Sequence, residues 1–191
     1  LHSAEVVRSV ARMLRKYDIR NIVLDPVMVS TSGHKLIEDS AITVFGTNLT
    51  QLLMQPPVQG KTVLGWDPAF RTGCKLAVVD PTGKVLDTVV IYPTAPQNRV
   101  EESKKTLSRL VERYQVDLIS VGNGTASRES EQVIVELLKE LDKPVQYVIV
   151  NEAGASVYSA SKLATEEFPD FDVAQRSAAS IARRLQDPLA E

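Results

Sequence analysis

Three apolar runs follow one another closely in the middle of the chain, and they limit its folding more than any other feature. TVLGWD, CKLAVVD and KVLDTVVIY each have strand length and β-branched content, and Pro81-Thr82-Gly83 supplies a tight turn between the last two. That turn makes an antiparallel hairpin, and a hairpin excludes a purely parallel sheet. After Asn98 the pattern changes to a helix through Tyr114, a buried strand VDLISVG and a helix from about Arg128 to Leu141. The strand VQYVIV and helical segments ending at Asp187 complete it. The expected class is α/β, with a mixed sheet of three antiparallel strands followed by parallel βα units.

Upstream, Ser3 is placed to cap a helix in which Val6, Val7, Val10, Met13 and Leu14 recur at helical spacing, with Arg8, Arg12, Arg15 and Lys16 facing out. This helix is expected to end near Tyr17. IRNIVLDPVMV then reads as a strand covered on both faces, stopped by Pro26, and STSGHK as a loop in which His34 is an ordinary exposed residue. A second helix starts at Asp39 or Ser40, carries Ile42, Phe45, Leu49, Leu52 and Leu53 toward a core, and ends before Pro56 and Pro57. There is no internal repeat, and PPVQGK is too short to separate freely moving domains.

Charge and cysteine content exclude several functions. Lys and Arg total 22 against 24 Asp and Glu, a net charge of -2, so any nucleic-acid-binding surface must be local. The single Cys74 cannot form an intramolecular disulfide and has no His or Cys cluster around it for zinc; a packed strand cysteine in a reducing cytoplasm is the expectation. No apolar run is long enough to span a bilayer, and the first residues lack the pattern of a secretory signal. Both ends have the appearance of cuts through longer parents.

The words GWDPAFRTGCKLAVVD, GNGTASRE, VNEAGASVYSAS and SAASIARRLQDPL, in that order, resemble the YqgF domain of the Tex transcription accessory family. AITVFGTNLTQLLMQPP resembles the helix leading into it, so the likeness runs from about Ala41 to Glu191. It implies an RNase H-like fold. Residues 1–42 instead resemble an internal piece of hydroxymethylpyrimidine phosphate kinase, of the ribokinase fold, with DPVMVSTSG as the telling motif. The expected organisation is therefore a kinase-derived fragment at 1–42, packed on a YqgF domain at 43–191. Such a chain is expected to be an engineered or recombined chimera, with a natural gene fusion as the competing reading. IVLDPV, within Ile19 to Val29, would extend the sheet by a right-handed crossover.

RNase H-like nucleases hydrolyse phosphodiesters with two divalent ions held by three or four carboxylates, because hard Mg²⁺ prefers oxygen ligands. The resemblance places Asp67, ending the first strand, at the first ligand and Glu152, after VQYVIV, at the second. Where relatives carry a carboxylate opening the closing helix, this chain has Ser177, and where they carry one before the glutamate it has Asn151. Asp187 lies ten helical residues, about 15 Å, beyond Ser177 and cannot replace it. Pro68 and Ala69 also stand where many relatives have a glycine. Asp67 and Glu152 thus read as vestigial catalytic residues: no cofactor is required, and Mg²⁺ binding would be weak.

GNGTAS joins a strand to a helix, so Asn123, Gly124, Thr125, Ser127 and Arg128 are phosphate or nucleic-acid candidates, together with Arg71 and Lys75. The competing reading is a tight turn with Thr125 or Ser127 capping the helix. Arg183 and Arg184 are expected on a solvated helical face. Trp66 and Phe70, flanking Asp67, are expected to pack in the core and not to stack on bases. Asp25 resembles a residue near the kinase phosphates, but its catalytic context is missing and no phosphoryl transfer is expected. The partners implied are nucleic acid, bound weakly, and a second copy joined through an edge strand or by swapping. No membrane association is expected.

Overall fold

The computed structural model describes residues 3–16, 38–54 and 56–189, which divide into two compact units, Leu1–Gln55 and Pro56–Glu191. The expected strand at Ile19–Val29, Asp25 and His34 lie outside the described residues.

In the first unit, helix α1 (Ala4–Lys16) packs on α2 (Asp39–Leu53). Ser3 begins α1, its Oγ accepting from the Val6 amide at 3.4 Å. The contact centres on Val7 and Ala41, with Ile42, Val44 and Phe45 around them. Of the apolar stripe expected to face a core, Val7 is buried, whereas Val6, Val10 and Met13 remain exposed.

The second unit contains the sheet. Strands β1 (Val63–Asp67), β2 (Cys74–Val79) and β3 (Val85–Ile91) are antiparallel neighbours, and the Asp80–Lys84 turn makes the predicted hairpin. Asp80 organises that turn, one carboxylate oxygen accepting from the Thr82 amide, the Thr82 hydroxyl and the Lys84 amide, which holds its carboxyl below the usual range. Helix α3 (Val100–Tyr114) crosses to β4 (Leu118–Gly122), which lies parallel to β1, and α4 (Ser127–Glu140) crosses to β5 (Gln146–Val150), parallel to β4. Among the described residues the sheet has five strands in the order β3-β2-β1-β4-β5. Two short helices, α5 (Ala153–Ser159) and α6 (Lys162–Glu167), lead to α7 (Val173–Gln186). This is the mixed sheet of three antiparallel strands and parallel βα units that the sequence pattern predicts, in the RNase H-like arrangement that the resemblance implies.

Side-chain alternation along the strands divides the core in two. Leu64, Trp66, Cys74, Leu76, Val78, Ile119 and Val121 join a large aliphatic cluster with Leu107, Leu110, Ile134 and Leu137 of α3 and α4. Cys74 and Trp66 are fully buried, as expected of core residues; Phe70 is only partly covered. On the opposite face Val63, Ala77 and Val79 meet Ala178, Ala179 and Ala182 of α7. There the helix backbone approaches so closely that a Cβ on Gly65 would collide with the Ala178 carbonyl and stand 2.9 Å from the Ala182 nitrogen. Ser120, fully buried, donates to the Ile181 carbonyl at 2.7 Å and fixes the helix on β4.

Candidate functional site

Strand parity determines what reaches the α7 face at the carboxyl end of β1. Positions 63, 65 and 67 share that face, and so do Lys75, Ala77 and Val79 on β2, where Asp67 lies opposite Lys75 in the antiparallel register. Helix α7 is started by a capping box: the Asp172 carboxylate accepts from the Gln175 amide at 2.7 Å, and the Gln175 side-chain oxygen accepts from the Asp172 amide at 2.9 Å. One turn further on, Ser177 is buried and its hydroxyl donates to the Asp67 carboxylate.

Asp67 is accordingly an unusual acid. Burial pushes its pKa up from 3.8 to about 6, and the Ser177 hydroxyl opposes that rise; the negative Glu152 adds to it, Lys75 offsets it and Asp172 adds a little more. The fold therefore brings Asp67, Glu152 and Ser177 into one neighbourhood, as the motif positions implied. Lys75 is not a surface cation: it is buried, with Nζ donating to the carbonyls of Thr72 at 2.7 Å and Gly73 at 2.9 Å. Sequence reasoning missed Asp172 as part of this charge set, although Asp172-Val173-Ala174-Gln175 has the spacing of a capping box.

Glu152 begins α5 and folds back over the loop after β4. A Cβ on Gly122 or on Gly124 would meet its carboxylate, so glycine at these two places leaves the side chain room in this position. Among the described residues its Oε2 is shielded from water and has no hydrogen-bond partner. The adjacent Asn151 points its side-chain oxygen at its own helix, accepting from the Ala153 amide at 2.9 Å. Asn123 accepts from the Glu152 amide at 3.2 Å, tying the loop to β5. No group of three His, Cys, Asp or Glu side chains converges among the described residues.

Several expectations are corrected here. Neither Thr125 nor Ser127 caps α4: Ala126 occupies the cap position at φ 64° and no side chain makes a capping bond, because the loop turns through a left-handed residue before the helix starts. Arg183 and Arg184 are not on a solvated face. Arg183 donates to the Gly83 carbonyl at 2.8 Å, pairs with Glu167 at 2.8 Å and lies 5.0 Å from the Phe168 ring centre, while Arg184 packs its guanidinium over Gly154. Both are drawn inward because α5 and α6 fold against the outer side of α7. Of the other basic and loop candidates, Arg71, Asn123, Thr125 and Arg128 are exposed, and Gly124 and Ser127 are partly covered.

The mixed sheet, its closing helix and an acidic strand end define an RNase H-like domain. The family model of the Tex protein YqgF-like domain matches residues 61–186, and the chain belongs to that family. Residues 1–54 match a second model, phosphomethylpyrimidine kinase. Protein YdcI of Bacillus subtilis (strain 168) is 63% identical over 154 residues, covering 81% of this chain and 21% of its own length. Protein tex of Bordetella pertussis is 56% identical, with coverages of 81% and 20%. The human S1 RNA-binding domain-containing protein 1 is 45% identical, with coverages of 81% and 16%. The chain thus spans about a fifth of the length of the curated relatives it matches best among these. Among solved structures, Thermus thermophilus RuvC in complex with a Holliday junction substrate aligns at TM-score 0.48 and 16% identity, over 64% of this chain and 90% of that one. Among the described residues no helix is long and apolar enough to cross a membrane.

Proposed function

We propose that the Pro56–Glu191 unit is a non-hydrolysing, nucleic-acid-associated module of a transcription accessory protein, in which the acidic centre of an RNase H-like fold has been reduced to a structural hydrogen-bonded pair. The observation that carries this is the Asp67–Ser177 contact: a neutral hydroxyl stands where the fold would need a third carboxylate. Two dications need several negative oxygens free to turn toward them. Asp67 is occupied by Ser177, Asn151 is a neutral amide whose oxygen accepts from the Ala153 amide, and Glu152 lies against Gly122 and Gly124. This donor set does not fit a pair of Mg²⁺ ions.

The same placement bears on the loop Asn123–Arg128. A carboxylate folded over Gly124 repels an incoming phosphate, so nucleic acid would engage the exposed Arg71 and Arg128 before the loop amides. Weak, salt-sensitive binding follows. Relatives that are a transcriptional accessory protein and an S1 RNA-binding domain-containing protein support a nucleic-acid setting for this domain. The separate kinase-type match at residues 1–54 and the unit boundary after Gln55 support reading the chain as a chimera of two unrelated pieces.

The test is incubation of the purified chain with labelled branched and single-stranded DNA in Mg²⁺ or Mn²⁺. The expected result is no cleavage above that of Asp67→Asn. Turnover that disappears in both Asp67→Asn and Glu152→Gln would overturn the proposal. Limited proteolysis between Met54 and Lys61 should release a folded YqgF-type fragment; loss of structure on that cut would count against the chimeric reading.

A further inference from the structure

The Pro56–Glu191 unit contains three asparagines, Asn98, Asn123 and Asn151, and all of them are exposed. They differ in the backbone amide that follows. After Asn98 the Arg99 amide donates to the Tyr92 carbonyl at 2.8 Å, and after Asn151 the Glu152 amide donates to the Asn123 side-chain oxygen at 3.2 Å. After Asn123 the amide belongs to Gly124, and among the described residues it donates to no acceptor. Gly124 also lacks the Cβ that would hinder a side chain from closing onto its nitrogen. An unengaged amide nitrogen thus sits one residue beyond an exposed side-chain amide only at Asn123.

A second observation concerns the carbon that such a nitrogen would attack. The Asn123 main chain is anchored at the end of β4, its amide donating to the Val150 carbonyl at 2.9 Å. Its side-chain oxygen takes the Glu152 N–H, which draws electron density from Cγ. The same donor would stabilise the negative charge that develops on that oxygen when a nucleophile adds. The side-chain nitrogen Nδ2, the group that would depart, has no partner among the described residues.

We propose that Asn123–Gly124 is a spontaneous modification site, where the native chain cyclises to a succinimide and reopens as aspartate or isoaspartate, turning a neutral loop anionic. In the first step the Gly124 nitrogen gives its proton to solvent hydroxide and bonds to Asn123 Cγ. The Cγ–Nδ2 bond then breaks, and Nδ2 takes up a proton and leaves as ammonia. Water adds to one of the two ring carbonyls, and the ring C–N bond at that carbonyl breaks. Opening at Cγ gives aspartate, and opening at the main-chain carbonyl gives isoaspartate. The sum is a side-chain amide and water converted to a carboxylic acid and ammonia, with no oxidant or reductant. Either product adds a negative charge to the loop against which the Glu152 carboxylate lies, and repels phosphate further. The modification itself does not rest on the nucleic-acid reading.

The test holds the full chain in warm, mildly alkaline buffer, digests samples taken over time, and follows each asparagine by mass spectrometry with fragmentation that separates isoaspartate from aspartate. Conversion at Asn123 should be at least about tenfold faster than at Asn98 or Asn151, with isoaspartate among the products. Gly124→Ala, whose methyl hinders ring closure, should slow it about tenfold. Asn123→Gln, whose longer side chain would have to close a larger ring, should show no comparable loss at that position. The folded chain should convert within about tenfold of the rate of the chain unfolded in urea. Equal rates at the three asparagines, aspartate without isoaspartate, or an unchanged rate in Gly124→Ala would each overturn the proposal. So would a folded chain more than about tenfold slower than the unfolded one, since the loop would then hold the reacting atoms apart.

Discussion

The two faces of the sheet are built on different rules. Toward α3 and α4 the strands present Leu64, Trp66, Leu76 and Val78 to Leu107, Leu110, Ile134 and Leu137, an interdigitated layer of large side chains. Toward α7 they present Gly65 and Ala77 to Ala178, Ala179 and Ala182. The first face gains stability from buried area. The second gives up area for closeness, and closeness brings the Ser177 hydroxyl and the Asp67 carboxylate together at the strand end. Chemistry in this fold is placed by the small residues and supported by the large ones.

If that contrast is right, adding one side chain on the α7 face should cost more than removing one on the other. Gly65→Val has to displace the helix backbone at Ala178 and Ala182, which cannot rotate away as a side chain can. A loss of about 4 kcal/mol or more, or failure to fold, is expected by urea unfolding. Leu107→Ala, fully buried in the large cluster, should cost about 3 kcal/mol while leaving Asp67 titrating as before. A larger loss for Leu107→Ala than for Gly65→Val would break the comparison.

Asp67 sharpens it with the opposite sign. Its folded pKa of about 6 lies above the ordinary 3.8, so between those values the native state holds a proton that the unfolded chain has released. Its contribution to stability is therefore fully present below about pH 3.8, is lost as pH rises through 6, and is flat above. Asp67→Asn removes the cost of a buried charge and should stabilise the protein at pH 7.5 by about 2 kcal/mol, with a smaller gain at pH 5. Thermal melts across that range measure it; equal or lower stability of the variant at pH 7.5 would mean that the ionised carboxylate is well accommodated.

The strands, the hairpin and the helices from Val100 onward were legible because each carries its own period and is bounded by Gly, Pro or a polar loop. Asp67, Glu152 and Ser177 were legible only through motif positions, since no local pattern tells a strand-end acid from a turn residue. The fates of Arg183 and Arg184 were not legible: their spacing on α7 is that of an exposed face, and it is α5 and α6, short helices of weak periodicity, that cover them. Ala126 was missed because a left-handed alanine leaves no compositional mark. The bonds of the Gln186 amide to the carbonyls of Lys61 and Asp80 have no local sequence signal, because pairing of β1 with β2 is what brings those carbonyls together.

The smallest expected effect tests how Glu152 reports on Asp67. Gly124 has no left-handed backbone requirement, so alanine is tolerated by the chain itself, and its Cβ meets only the mobile end of the Glu152 side chain. Gly124→Ala should therefore change stability by less than about 1 kcal/mol, because the carboxylate can swing away. Moving it removes one of the charges that raise Asp67, but burial is the larger cause and remains. The Asp67 pKa, followed by NMR of its carboxyl carbon, should fall toward the ordinary range without reaching it. A full return to the ordinary value would make Glu152, and not burial against α7, the dominant influence, and the closeness of the small-residue face would then not explain the acid at its end.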